Sequence, residues 1–146
     1  MRTIKRIFVH CTGGSQKATA EDLRAEFRRK GWKNPGYHYV VLADGDTVQL
    51  LDESGISNGV KGYNSTSVNV AYTGGVVDGE NVDNRTEQQR ISLRKLLQEL
   101  RSRYPQAQIM GHRDISPDKN GNGIVDPWER IKDCPCFDAI VEYKDL

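Results

Sequence analysis

Apolar and polar positions along the chain follow two periods, one of strands and one of helices. Residues 4–10 contain the unbroken run Ile7-Phe8-Val9, which suits a strand buried in a sheet and leaves His10 at its end. Thr19 followed by Asp22 predicts a helix start, because the hydroxyl caps an orphan amide while the acid faces the positive helix terminus. Leu23 and Phe27 then recur on one face, and Gly31 marks the stop. After the turn Asn34-Pro35-Gly36, residues 37–43 and 47–51 read as strands joined by the hairpin signal Asp44-Gly45.

Residues 52–67 are rich in Gly, Ser and Asn and predict a surface loop that leads into a strand over residues 68–73. Thr86 with Gln89 repeats the capping pattern, and Ile91, Leu93, Leu96, Leu97 and Leu100 give the clearest helical period before Pro105. Residues 107–110 form a short strand that delivers His112, and Phe137, Ile140 and Val141 predict a last short helix. The fold class is therefore α/β, a central mixed β-sheet flanked by helices, with His10 and His112 leaving neighbouring strand ends on one rim.

At 146 residues the chain fits one domain. A formal net charge of +1 spread over 28% charged residues gives no global field to recruit nucleic acid or an anionic membrane. No apolar stretch approaches a membrane span, and the start Met1-Arg2-Thr3-Ile4-Lys5-Arg6 lacks a signal core, so synthesis in the cytoplasm without a signal peptide is expected. Three cysteines, Cys11, Cys134 and Cys136, are too few for a disulfide scaffold and point to free or metal-bound thiols.

Two of the three histidines follow predicted strands, and Cys134 lies in Lys132-Asp133-Cys134-Pro135-Cys136. A thiolate with two neutral imidazoles offers zinc three ligands and leaves a fourth position for water, the mark of a catalytic rather than a structural site. Such water supplies hydroxide near neutral pH, which suits amide hydrolysis. Taken singly, a histidine at a strand end is more often structural and a lone cysteine more often packing. A redox or metal-storage role for the Cys134-Pro135-Cys136 pair is a competing reading, although it leaves both histidines unexplained.

Read together, Ile7-Phe8-Val9-His10-Cys11-Thr12, Gly36-Tyr37-His38-Tyr39, Lys61-Gly62-Tyr63-Asn64-Ser65 and Cys134-Pro135-Cys136-Phe137-Asp138 occur in an order that covers nearly the whole chain. In this the sequence resembles the zinc-dependent N-acetylmuramoyl-L-alanine amidases of the phage-lysozyme type, or type 2 amidases, which share their fold with peptidoglycan recognition proteins. The resemblance implies one amidase domain over residues 1–146 that acts as a monomer on peptidoglycan after release to the cell wall. The bond cleaved would be the amide between N-acetylmuramic acid and L-alanine. It also implies zinc on His10, His112 and Cys134, with Cys136 at the variable position yet remaining an alternative thiol.

By the same resemblance Lys132 is the catalytic lysine, whose ammonium would neutralise a tetrahedral oxyanion. Tyr37 is the family's catalytic hydroxyl, acting in acid/base chemistry or transition-state hydrogen bonding. His38 should point to the opposite strand face and is read as structural. Lys61, Tyr63 and Asn64 are expected to line the substrate groove, with a merely structural loop as the competing reading. Many relatives carry a histidine shortly before Lys-Gly-Tyr-Asn, where this chain has Asn58-Gly59-Val60. A non-catalytic peptidoglycan-binding module on the same fold is the alternative, against which Cys134, Tyr37 and Lys132 argue.

Residues 118–129 match the calcium-loop pattern D-x-[DN]-x-[DN]-G followed by five residues and Glu. Asp118, Asn120, Asn122, Ile124, Asp126 and Glu129 are the expected calcium ligands, Ile124 through its carbonyl, and the loop would clamp the segment between His112 and Cys134.

Overall fold

Strand β1 (Arg6–Cys11) forms at the run Ile7-Phe8-Val9, all three of which are fully buried. A parallel strand with neighbours on both edges and cover on both faces has no solvent side, which is why the run is unbroken. In the computed structural model, which describes residues 2–116, Lys119, Gly121, Asn122, Val125, Trp128 and 132–146, β1 lies between two parallel partners. One is β4 (Ser67–Tyr72) and the other β7 (Gln108–Gly111), so Val9 faces Val70 on one side and Gly111 on the other. The short β2 (Tyr39–Val41) runs parallel to β4, and β3 (Thr47–Gln49) closes the edge antiparallel to β2, giving the order β3-β2-β4-β1-β7.

Alternation along the strands divides the core between the two faces. Ile7, Val9, Val68, Val70 and Tyr72 pack with helix α2 (Glu87–Arg103) through Leu93, Leu96, Leu97 and Leu100. On the other face Val40, Leu50 and Ala71 pack against Leu23 and Phe27 of helix α1 (Ala20–Arg29). The side chains of His10 and Asn69 fall in register with Ala71, on the α1 face.

Both predicted capping boxes are present. Thr19 Oγ1 accepts from Asp22 N at 3.2 Å while Asp22 Oδ2 accepts from Thr19 N at 2.9 Å, and Thr86 and Gln89 make the same exchange at 3.0 Å each. The buried stripe of α2 differs from the predicted one at its start, because Ile91 is 63% exposed while the Gln89 carboxamide is buried, donating to the carbonyls of Val41 and Thr73. Helix α3 (Ala139–Glu142) likewise buries Ala139 and the flanking Phe137 and Tyr143, and leaves Ile140 and Val141 exposed. One short hairpin was not expected: β5 (Val76–Val77) and β6 (Glu80–Asn81) join through Asp78 and Gly79, both at positive φ, 52° and 79°, as a type I′ turn requires.

The carboxyl-terminal segment is tied to the body by Arg85, whose side chain is 1% exposed. It donates to Asp83 at 2.9 Å and to Glu142 at 2.6 and 2.8 Å, and its guanidinium lies 3.4 Å from the centroid of the Phe137 ring. Removing Arg85 takes away a buried, hydrogen-bonded side chain, while Asp83 and Glu142 keep partial access to water and Asp83 keeps Arg90, so Arg85→Ala is expected to cost about 1–3 kcal/mol in denaturant unfolding. The hydrogen bonds from Arg85 hold the Glu142 carboxyl below its ordinary range. A depressed acid contributes stability above its unfolded pKa and loses it as pH falls through the folded value. The gap between wild type and Arg85→Ala should therefore narrow below about pH 4.

Candidate metal centre

The sheet places the ends of β1 and β7 side by side, and a histidine leaves each. His10 is the penultimate residue of β1, and His112 opens the 3-10 turn His112–Ile115 directly after β7. Their ring centroids are 5.0 Å apart. The third member arrives from the far end of the chain: Arg113 N donates to Cys134 O at 2.8 Å, and Cys11 N donates to Cys134 Sγ at 3.1 Å. This docking needs Gly111, since a Cβ there would stand 2.5 Å from Pro135 Cδ.

One ligand atom from each of His10, His112 and Cys134 lies within 4.8 Å of the other two, the one such cluster of His, Cys, Asp or Glu among the described residues. Zinc–sulfur and zinc–nitrogen bonds at tetrahedral angles put the two donor atoms about 3.5 Å apart. His10 Nδ1 and Cys134 Sγ are separated by 3.7 Å, so the donor set fits zinc in both chemistry and spacing. Cys136 is turned elsewhere, its Sγ 3.9 Å from Cys11 Sγ and 3.5 Å from Gly75 O. The structure thus brings Cys134 to the imidazoles.

Burial lowers the pKa of His10 to about 4, against a hydrogen bond with Asn69 that raises it and a nearby Lys132 charge that lowers it. His112 is lowered to about 3, by burial first and then by the charges of His10 and Lys132. Both rings are neutral at pH 7, the form in which imidazole ligates metal. The Cys11 thiol is pushed up to about 12, chiefly by its hydrogen bond with Cys134, and stays protonated.

The cluster opens into a pocket of about 390 Å³ whose lining includes Phe27, Trp32, Tyr37, Asn58 and Lys132. The Tyr37 ring sits 5.2 Å from that of His10, and its hydroxyl donates to Cys11 O at 3.5 Å. Burial pushes its pKa well above the ordinary phenol value, so the hydroxyl is protonated at neutral pH. Lys132 is exposed at the pocket wall. His38, expected to be structural, is fully buried with Nε2 2.8 Å from Gly55 O.

Lys61, Tyr63 and Asn64 do not line this pocket. Tyr63 packs edge-on to Phe8 at 5.9 Å beneath Arg6, Asn64 Oδ1 accepts from Val60 N at 2.8 Å, and Lys61 is exposed. Asn58 and Gly59, just before them, do line it. Two further residues escaped the sequence reading: Trp32 in the pocket wall, and Asn69, which holds His10. A polar residue inside Val68-Asn69-Val70 was a readable signal for the second. Of the expected calcium ligands, Asp118, Asn120, Ile124, Asp126 and Glu129 lie outside the described residues, and Asn122 is exposed.

A parallel-cored sheet with an open His-His-Cys cluster on its rim defines an α/β enzyme domain of hydrolytic type. Comparison with known proteins narrows this class. Residues 1–129 match the family model described as N-acetylmuramoyl-L-alanine amidase, and the chain belongs to that family and is an enzyme of that class. It is 36% identical over 136 residues to an endolysin of Enterobacteria phage K11, covering 91% of this chain and 81% of that protein. An endolysin of Escherichia phage T7 is 34% identical over 135 residues, covering 90% and 80%. An uncharacterized protein of Haemophilus influenzae is 54% identical over 81 residues, 55% of this chain and 70% of its own length. Among solved structures, the fold is shared with the amidase LysC of Clostridium intestinale (TM-score 0.75, 21% identity, 97% of this chain and 82% of that one). It is shared too with Drosophila PGRP-LB (TM-score 0.68, 17% identity, 92% and 76%).

Proposed function

We propose that this chain hydrolyses the amide bond between N-acetylmuramic acid and L-alanine in peptidoglycan, with zinc held by His10, His112 and Cys134, and that it serves as a cell-wall lytic enzyme like the phage endolysins it is similar to. The observation that carries this reading is the convergence of those three side chains at ligand spacing in a pocket that also contains Tyr37 and Lys132. Zinc, when bound there, supplies acidified water and a Lewis acid for the scissile carbonyl.

The protein's own groups supply the rest. Lys132 brings a cation to the pocket wall, where charge develops on the carbonyl oxygen. Tyr37 keeps its proton and donates a hydrogen bond to the reacting amide. Substrate contacts fall to pocket-lining residues such as Trp32 and Asn58, whereas Tyr63 and Asn64 brace the loop beside them. The alternative, a binding module without catalysis, has no use for neutral imidazoles placed against a thiol and a lysine.

Digestion of purified peptidoglycan is expected to release new L-alanine amino termini, and a zinc chelator should abolish that release. Release of reducing sugar ends alone, or undiminished release in chelator, would overturn the assignment.

A further inference from the structure

Asn69 occupies the middle of a strand whose every residue is buried, and it is itself fully buried. A carboxamide stripped of water must find partners for its oxygen and its NH₂, or cost folding free energy. Its Oδ1 lies 2.8 Å from His10 Nε2, while its Nδ2 lies 2.7 Å from Ser57 Oγ and 3.4 Å from Asn64 Oδ1. Asn64 Oδ1 is fixed as an oxygen because it accepts from Val60 N–H. The nitrogen of Asn69 therefore faces Ser57 and Asn64, and the oxygen faces His10.

Behind it, His38 Nδ1 accepts from Asn69 N–H at 3.0 Å, while its Nε2 lies 2.8 Å from the Gly55 carbonyl and 3.2 Å from the Arg2 guanidinium. Ser57 Oγ accepts from Asn69 Nδ2 and stands 3.1 Å from the same Nδ1. An oxygen that can only accept faces His10 Nε2, so that nitrogen must hold the ring's proton. Its Nδ1 then presents a bare lone pair to the cluster, 3.7 Å from Cys134 Sγ. Room for this arrangement comes from Gly59, where a Cβ would stand 2.3 Å from Asn69 Cγ and 2.4 Å from its Oδ1.

We infer that Asn69 is a positioning residue that fixes the ring state and orientation of His10 and thereby sets the metal affinity of the cluster, and that Gly59 must lack a side chain to leave Asn69 its place. The inference rests on the metal reading above, and the closing experiment separates the two. Zinc affinity is measured by competition with a chromophoric chelator, first for the wild type: failure to bind zinc overturns the metal reading itself. For a zinc-binding wild type, Asn69→Ala should weaken affinity by about 10–100-fold. Asn69→Asp, which keeps the acceptor, should bind close to the wild-type level. Gly59→Ala should weaken binding in the same direction by displacing the Asn69 side chain.

A merely structural asparagine predicts that Asn69→Ala and Asn69→Asp lower the zinc-free melting temperature alike and leave zinc affinity where it was, and that result overturns the inference. Nitrogen-15 NMR of the zinc-free wild type provides a readout that needs no variant to fold. The His10 proton is expected on Nε2, and a ring protonated on Nδ1 would equally overturn the inference.

Discussion

Cys134→Ser should lose both its zinc and at least about 10⁴-fold in kcat/KM, whereas Cys136→Ser should retain zinc in full stoichiometry. The two sulfurs are one residue apart, yet their surroundings differ. Cys134 Sγ receives the Cys11 backbone N–H at 3.1 Å and stands 3.7 Å from His10 Nδ1, so it is aimed at an imidazole. Cys136 Sγ rests on the Cys11 thiol at 3.9 Å and the Gly75 carbonyl at 3.5 Å, away from both imidazoles. The hydrogen bond with Cys11, and then burial, push its pKa far up. Serine keeps the size of cysteine but binds zinc poorly, so the large loss at 134 reports on coordination and not on packing. Metal content by elemental analysis, read beside release of L-alanine amino termini, checks the prediction. Loss of zinc from Cys136→Ser alone would restore the metal-storage reading of the cysteine pair.

What was legible in the sequence was whatever local chemistry specifies. Thr19 with Asp22 and Thr86 with Gln89 name two helix starts because a capping box is closed within four residues. The apolar run of β1 was equally plain. Hydrophobicity alone misled at Ile91, Ile140 and Val141, since a helix has more apolar positions than its buried face needs and only the neighbouring layer decides which are covered. The Asp78-Gly79 hairpin was missed because strands of two residues carry no period. At the site, the sheet order that sets His10 beside His112 is a non-local fact, and so is the chain path that lowers Cys134 onto the end of β1. Resemblance supplied the ligand set and the spacing now supports it. Of the expected groove segment, the neighbours Asn58 and Gly59 line the pocket beside the cluster, and Lys61, Tyr63 and Asn64 lie outside that pocket. Asn69 was visible as a letter but not as a role, because its partners Ser57 and His10 are 12 and 59 residues away.

Lys132→Ala should lower kcat by about 10²–10³-fold while zinc affinity stays level or tightens. The sign of the second effect follows from charge. Lys132 lies near enough for its ammonium to depress the pKa of both His10 and His112, and a cation that disfavours a proton on those rings also disfavours a divalent metal between them. In the proposed mechanism the same ammonium acts in the transition state, where negative charge gathers on the carbonyl oxygen. Lys132→Arg, which keeps the charge on a broader head, should recover part of the rate. Tyr37→Phe should cost about 10²-fold in kcat, again with zinc retained, because the phenol is held protonated and its contribution is a donated hydrogen bond. If Lys132 and Tyr37 act on the same developing charge, the double variant will be less impaired than the product of the two losses. Zinc titration alongside steady-state kinetics decides the matter. A Lys132→Ala protein that loses metal together with activity would place the residue in metal retention and remove it from the chemistry.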